Sequence, residues 1–129
     1  MKTIRVLLLS IFCCVAHFSH SQNFHADIVN GLKGGNTDLI IQHLAKTLDV
    51  KVLDVAKTGV SQDVVSNELA KFFKENPPKN FETLHSGERN NSSYVIGKLT
   101  TITGEFRVTI FFRRLNNQNF VNQLKVEKF

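Results

Sequence analysis

The sequence predicts an α+β domain with helices first and a sheet meander last. Apolar residues recur at helical spacing up to Phe73, apolar and polar residues alternate from Phe81 onward, and turn-forming residues separate the alternating runs. Phe24, Ile28, Val29 and Leu32 fit one helix, which Gly34-Gly35 can end in the left-handed conformation. A short second helix follows, capped by Asn36 or Thr37 with Asp38 in its first turn. Leu39, Ile40, Leu44 and, as a further candidate, His43 lie along its inner side. Leu48, Val50 and Val52 alternate as a strand reaching about Val55, and Gly59 breaks it. Ser61 is suited to cap a third helix carrying Val64, Val65, Leu69, Phe72 and Phe73, which Asn76-Pro77-Pro78 ends.

The remaining segments read as four strands: Phe81 to His85, then, after a polar loop from Gly87 to Ser92, Tyr94 to Thr103, Glu105 to Leu115 and Asn119 to Phe129. A two-residue turn at Thr103-Gly104 sets Leu99 opposite Val108, Gly97 opposite Ile110 and Val95 opposite Phe112. A three-residue turn at Asn116-Asn117-Gln118 sets Ile110 opposite Leu124, Val108 opposite Val126 and Arg107 opposite Glu127. One face then carries Val95, Leu99, Phe106, Val108, Ile110, Phe112, Leu124 and Val126, with only Gly97 and Thr101 interrupting, and should receive the helices. The other face mixes Tyr94, Ile96, Phe111 and Val121 with Thr100, Arg107, Thr109, Arg113, Gln123, Lys125 and Glu127. It is too apolar for a simply solvated surface and too charged for a core, which marks it as a contact surface. Long Arg and Lys stems covering their own sheet are the plainer alternative.

Two units are expected: a secretory signal peptide over 1–21 and a single domain over 22–129. Lys2 and Arg5 precede or interrupt an apolar stretch through Val15 that is too short to span a bilayer, and Ser19 and Ser21 occupy the positions that signal peptidase reads. Export to the periplasm or the exterior follows, with cleavage near Ser21 and Gln22. A lipoprotein signal using Cys13 or Cys14 is the rival, but bulky Phe12 argues against it. Both cysteines leave with the signal, so the mature chain has no disulfide, thiolate site or cysteine nucleophile. Loss of Lys2 and Arg5 lowers the net charge from +5 to +3. From Lys98 onward six basic residues face two acidic ones, an excess that can steer an acidic partner. There is no run of clustered Lys and Arg with interleaved aromatics, and no nucleic-acid partner is expected.

Phe72-Phe73 with Asn76-Pro77-Pro78, Leu84-His85-Ser86-Gly87, Tyr94 to Leu99 with Thr103-Gly104, Phe106-Arg107-Val108 and Gln123 to Glu127 carry a resemblance. Together they resemble a bacterial family of exported proteins catalogued as domain of unknown function 4783, over about Phe24 to Glu127. The resemblance implies a nuclear transport factor 2-like, cystatin-like cone, in which helices pack into the concave face of a bent antiparallel sheet. It implies no activity, because the fold hosts isomerases, dehydratases, ligand-binding modules and dimerisation domains alike.

Within such a cone three residues are candidates for chemistry. His85, at a strand end, could act as a base, although a histidine beside Ser86-Gly87 more often hydrogen-bonds a turn. Asp54, read near the mouth of the pocket, could be a second base with Tyr94 polarising a substrate oxygen, while Lys51 and Lys57 offer it an ordinary ion pair. His25, His43 and His85 lack metal-ligand spacing, and Gly31, Gly34 and Gly35 form no phosphate loop, so neither a metal nor a cofactor is expected. The expectation is therefore a non-enzymatic module that binds a small molecule or an unidentified protein and forms a homodimer through Tyr94, Ile96, Arg107, Phe111, Arg113, Val121 and Lys125. A small-molecule isomerase or hydrolase-like enzyme using the cone pocket is the alternative.

Overall fold

The structure, a computed structural model, describes residues 24–129; the expected signal peptide and both cysteines lie outside them. The elements follow in the order α1 (Phe24–Gly34), α2 (Thr37–Ile41), β1 (Leu44–Val52), β2 (Val55–Ser61), α3 (Gln62–Glu75), β3 (Pro78–Arg89), β4 (Ser92–Thr101), β5 (Glu105–Leu115) and β6 (Gln118–Lys128). One six-stranded sheet has the order β2-β1-β6-β5-β4-β3. Its neighbours are antiparallel except β1 and β6, which pair in parallel. The exception arises because α3 carries the chain from one edge of the sheet to the other, so β6 returns beside β1 running the same way.

The helices form as their residues require. Phe24, Ile28 and Leu32 line the buried side of α1, and Gly35 follows with φ 64°. Asn36 caps α2, its Oδ1 accepting from the Asp38 amide at 3.1 Å, but that helix is only five residues long and Leu44 opens β1 instead of extending it. Ser61 stands at the N-cap of α3 as expected, although its side chain makes no capping bond, and Val65, Leu69, Phe72 and Phe73 point inward.

The predicted apolar face is the core face: Val95, Leu99, Phe106, Val108, Ile110, Phe112, Leu124 and Val126 are all buried with the helix residues. The β4–β5 register, however, sets Leu99 opposite Phe106, Gly97 opposite Val108 and Val95 opposite Ile110, two residues from the expected pairing. The loop has three residues, Ile102 to Gly104, because the Thr101 hydroxyl gathers the turn: it donates to the Gly104 carbonyl at 2.9 Å and accepts from the Thr103 and Gly104 amides at 3.2 Å. A shift of two keeps every side chain on its face, so the face assignment survives the error.

Odd shifts do not forgive in this way. The β5–β6 connection is a two-residue turn, with Asn116 at φ 50° and Asn117 at φ 62°, and the extra residue is absorbed as a bulge opposite Phe111 and Phe112. The pairs Ile110–Leu124, Val108–Val126 and Arg107–Glu127 form as predicted, but beyond the bulge the alternation inverts. Val121 is therefore fully buried opposite Phe112, not on the mixed outer face, and the bulge residue Asn122 keeps a buried Oδ1 that has no partner among the described residues.

Two strands extend beyond expectation. The polar stretch from Gly87 to Ser92 is mostly strand, since β3 and β4 pair to Arg89–Ser92 and only Asn90-Asn91 turn, with Asn90 at φ 56°. β2 carries almost no buried residue and so lacks an apolar signature; Gly59, read as a strand breaker, is a bulge at φ 59° whose amide donates to Asp49 Oδ1 at 2.9 Å. These bulges bend the sheet around α1 and α3, giving it a concave side that bears the helices and a convex side that does not.

Gly97 marks the tightest approach of a β4 backbone position to β3. A Cβ there would collide with the edge of the Phe81 ring and come within 2.7 Å of the Glu82 carbonyl oxygen. Gly97→Val is expected to destabilise the domain by about 2–3 kcal/mol through overpacking. Thermal unfolding should show a melting temperature lower by roughly 10 °C; an unchanged melting curve would contradict this packing.

Candidate functional site

Two chambers open on the concave side where α1 stops covering the sheet. The inner one, about 140 Å³, lies between α1 and β3–β5 and is lined mainly by Phe24, Ile28, Phe81, Val95, Ile110 and Phe112. The outer one, about 340 Å³, continues toward the tips of the hairpins and is polar, with His25, Ser86, Glu88, Ser93, Arg114 and Asn119 around it. The chambers share His25, Ser86, Val95 and Phe112, so they form one cleft with an apolar end and a polar mouth. The His25 ring meets Phe112 edge-on, centroids 5.4 Å apart at 78°, at the junction. Glu88 and Arg114 border the same mouth, yet neither has an oppositely charged group within 4.0 Å among the described residues.

The residues predicted for catalysis are not brought together. Simple alternation from Phe81 through Thr83 would aim His85 into the cleft, but β3 bulges between Thr83 and His85. His85 pairs with Ile96 and is exposed on the convex face, while Ser86 takes the inward place opposite Val95. Asp54 is exposed in the β1–β2 turn rather than on a strand, and Tyr94 lies on β4, three strands away, at least about 14 Å by strand spacing. Tyr94 borders the rim of the mouth, but its ring lies on the convex face over Gly87, where a Cβ would stand 2.5 Å from Cε1. A shared base and oxygen-polarising pair of Asp54 and Tyr94 is thus not assembled.

Six of the seven residues read as a contact surface lie on the convex side. Tyr94 and Phe111 pair across β4 and β5, 38% and 37% exposed, with ring centroids 6.4 Å apart. Ile96 is half-buried, Lys125 partly exposed, and Arg107 and Arg113 exposed, whereas Val121 is withdrawn into the core. Arg107 also lies 5.5 Å from the Phe129 ring centroid and Lys98 5.9 Å, a pair of cation–π contacts that hold the last residue against this face.

Residues that sequence reasoning passed over define the cleft. Ser86 and Glu88 stand on its side of the sheet only because of the bulge in β3, which nothing in composition signals, and Ser93 joins them because β4 starts at Ser92, whereas Arg114 follows from the alternation of β5 over Glu105 to Leu115. His43 and Asp27 form a second unforeseen contact. His43 Nε2 lies 2.8 Å from Asp27 Oδ2, which also accepts from Gln42 Nε2 at 3.0 Å, while the His43 ring abuts Phe24 edge-on at 5.1 Å. The cluster fastens the start of α1, and with it one wall of the cleft, to the end of α2. Among the described residues no group of three or more His, Cys, Asp or Glu side chains is placed to hold a metal, and no helix is long and apolar enough to cross a membrane.

The profile of the family Domain of unknown function (DUF4783) matches residues 25–127. The chain belongs to that family. A crystal structure of a member from Bacteroides fragilis YCH46 is 32% identical, covers 80% of this chain and 96% of its own, and superposes with a TM-score of 0.74. A second member, from Bacteroides ovatus ATCC 8483, is 27% identical over 81% of this chain and 94% of its own, with a TM-score of 0.75. At 11% identity a nuclear transport factor 2-like protein of unknown function from Cytophaga hutchinsonii, covering 82% of this chain and 87% of its own with a TM-score of 0.58, shares the fold. No curated protein matches the chain. Family and fold are thus the ones the sequence resembles, and the family's description carries no activity.

Asp27→Ala removes the acceptor for both His43 and Gln42. A loss of about 1–2 kcal/mol in unfolding free energy is expected, with His43→Ala in the Asp27→Ala background costing less than His43→Ala alone. Additive losses in that double-mutant cycle would remove the coupling assigned to the pair.

Proposed function

We propose that this chain is an exported, non-enzymatic binding module that takes a small molecule into the concave cleft. The observation that carries the reading is the cleft itself: an apolar end of about 140 Å³ continuous with a polar mouth, which is the plan of a site that orients an amphipathic ligand. The separation of His85, Asp54 and Tyr94 favours binding over catalysis, since acid–base work needs its groups within reach of one substrate.

Ser86 stands at the junction of the two chambers and is solvent-exposed, so Ser86→Phe plugs the cleft without disturbing a buried side chain. With 8-anilinonaphthalene-1-sulfonate as the probe, the wild-type protein should enhance its fluorescence and Ser86→Phe should weaken binding at least tenfold, at a melting temperature within a few degrees. Equal binding by the two proteins would defeat the cleft reading.

The convex face supports a second element of the proposal, a homodimer centred on Tyr94 and Phe111. Four residues along β4 and β5 from these rings, Glu127, Arg107, Lys98 and Glu82 follow one another across β6 to β3 as a row with acidic ends and a basic centre, so a second copy displaced along the row can set its acidic end against this basic centre. Sedimentation at high concentration should show a dimer that Phe111→Asp converts to monomer; a monomer in both proteins would remove this element.

A further inference from the structure

The two charges at the mouth of the cleft say more about what it takes. Glu88 and Arg114 border one chamber without pairing with each other or with any other described charged group. Ser93 on β4 stands between their strands, Ser86 and Asn119 add further neutral hydrogen-bonding groups to the same mouth, and the apolar chamber adjoins it. That chamber, about 140 Å³ and lined mainly by phenylalanine, isoleucine and valine with His25, Thr83 and Ser86 at its edge, has nearly the volume of an engineered cavity of about 150 Å³ that accepts benzene.

We infer that the cleft binds a zwitterion with a benzene-sized apolar group, the chemistry of a free amino acid with an aromatic or branched apolar side chain. The inference rests on the binding reading given above. The ligand's carboxylate faces Arg114 and Asn119, its ammonium faces Glu88, and its apolar group enters the inner chamber against Phe81, Ile110 and Phe112. Other ligand classes fit worse for stated reasons. A fatty acid or other simple anion sets its carboxylate near Glu88, a like charge; a simple amine meets Arg114; an uncharged apolar molecule desolvates both groups without pairing either.

The test is calorimetric titration of the purified protein with L-phenylalanine, 3-phenylpropanoate, which lacks the ammonium, phenethylamine, which lacks the carboxylate, and glycine, which lacks the apolar group. L-phenylalanine should bind at least tenfold more tightly than either singly charged compound, and glycine should give no detectable heat. Arg114→Gln should weaken L-phenylalanine and 3-phenylpropanoate at least tenfold while strengthening phenethylamine, from which it removes a like charge, and Glu88→Gln should show the converse. Both residues are exposed, so the variants keep the fold, which unchanged melting curves verify. If either singly charged compound binds as tightly as L-phenylalanine, and Ser86→Phe abolishes that binding, the zwitterion inference fails while the cleft reading stands. If no compound binds, the inference fails; if in addition Ser86→Phe leaves the fluorescent probe bound, the cleft reading fails with it.

Discussion

Covering one apolar sheet face with a helix layer shorter than the strands is the constraint from which the rest of this structure follows. β3 has twelve residues and α1 eleven, which correspond to about 40 Å of strand contour but only about 16 Å of helix. α3 covers the part of the sheet around Leu99, Phe106 and β1, with Phe72 edge-on to Phe106 at 5.0 Å, and α1 covers the part around Phe81, Val95 and Phe112. Past Phe112 no described helix remains, and the inward positions change from apolar to polar: Ser93, Glu88, Arg114 and Asn119. The cleft is thus the boundary between covered and uncovered sheet, and its two-part character needs no special device.

Which side chains reach that boundary is decided by single-residue insertions. A strand's alternation is strict, so one extra residue exchanges the two faces for everything beyond it. In β3 the insertion at Leu84 sends His85 outward and Ser86 inward; in β6 the insertion at Asn122 takes Val121 into the core. The second has an evident cost in the unpartnered Asn122 oxygen. Burial of Val121 beside Phe112 at the base of the cleft is set against it, and a core valine contributes about 1.5–3 kcal/mol.

The same distinction explains what could be read from the sequence and what could not. Core membership was legible, because Val95, Leu99, Val108 and Ile110 show period-two alternation and a register error of two residues leaves it intact. The helix ends at Gly35 and Asn36 were legible from conformational preference. β2 was not, since an exposed edge strand carries no apolar periodicity, and neither was the reach of β3 and β4 past Gly87, since polar residues on exposed rungs have the composition of a loop. The apolar end of the cleft lies in the legible part, and its mouth from Ser86 to Ser93 lies in the illegible one. His85 lies in a segment that borders the cleft but faces the convex side, and Ser86 next to it holds the position that alternation without a bulge assigns to His85.

The cleft and the convex face are one residue apart along the strands. Ser93 and Phe112 face the cleft while Tyr94 and Phe111, their chain neighbours, face outward, and the four lie in two adjacent cross-strand pairs. Under the proposed function both surfaces are therefore carried by the same ends of β4 and β5. Pairing through the convex face would leave the mouth open, because the alternation sends the two sets of side chains in opposite directions, yet it would fix the strands that hold Glu88, Ser93 and Arg114 in place. A ligand that draws Glu88 and Arg114 toward itself stiffens the same hairpin tips from the other side. Occupancy of the cleft and pairing of the sheets would then favour each other through reduced motion of shared strands, with no change of shape required.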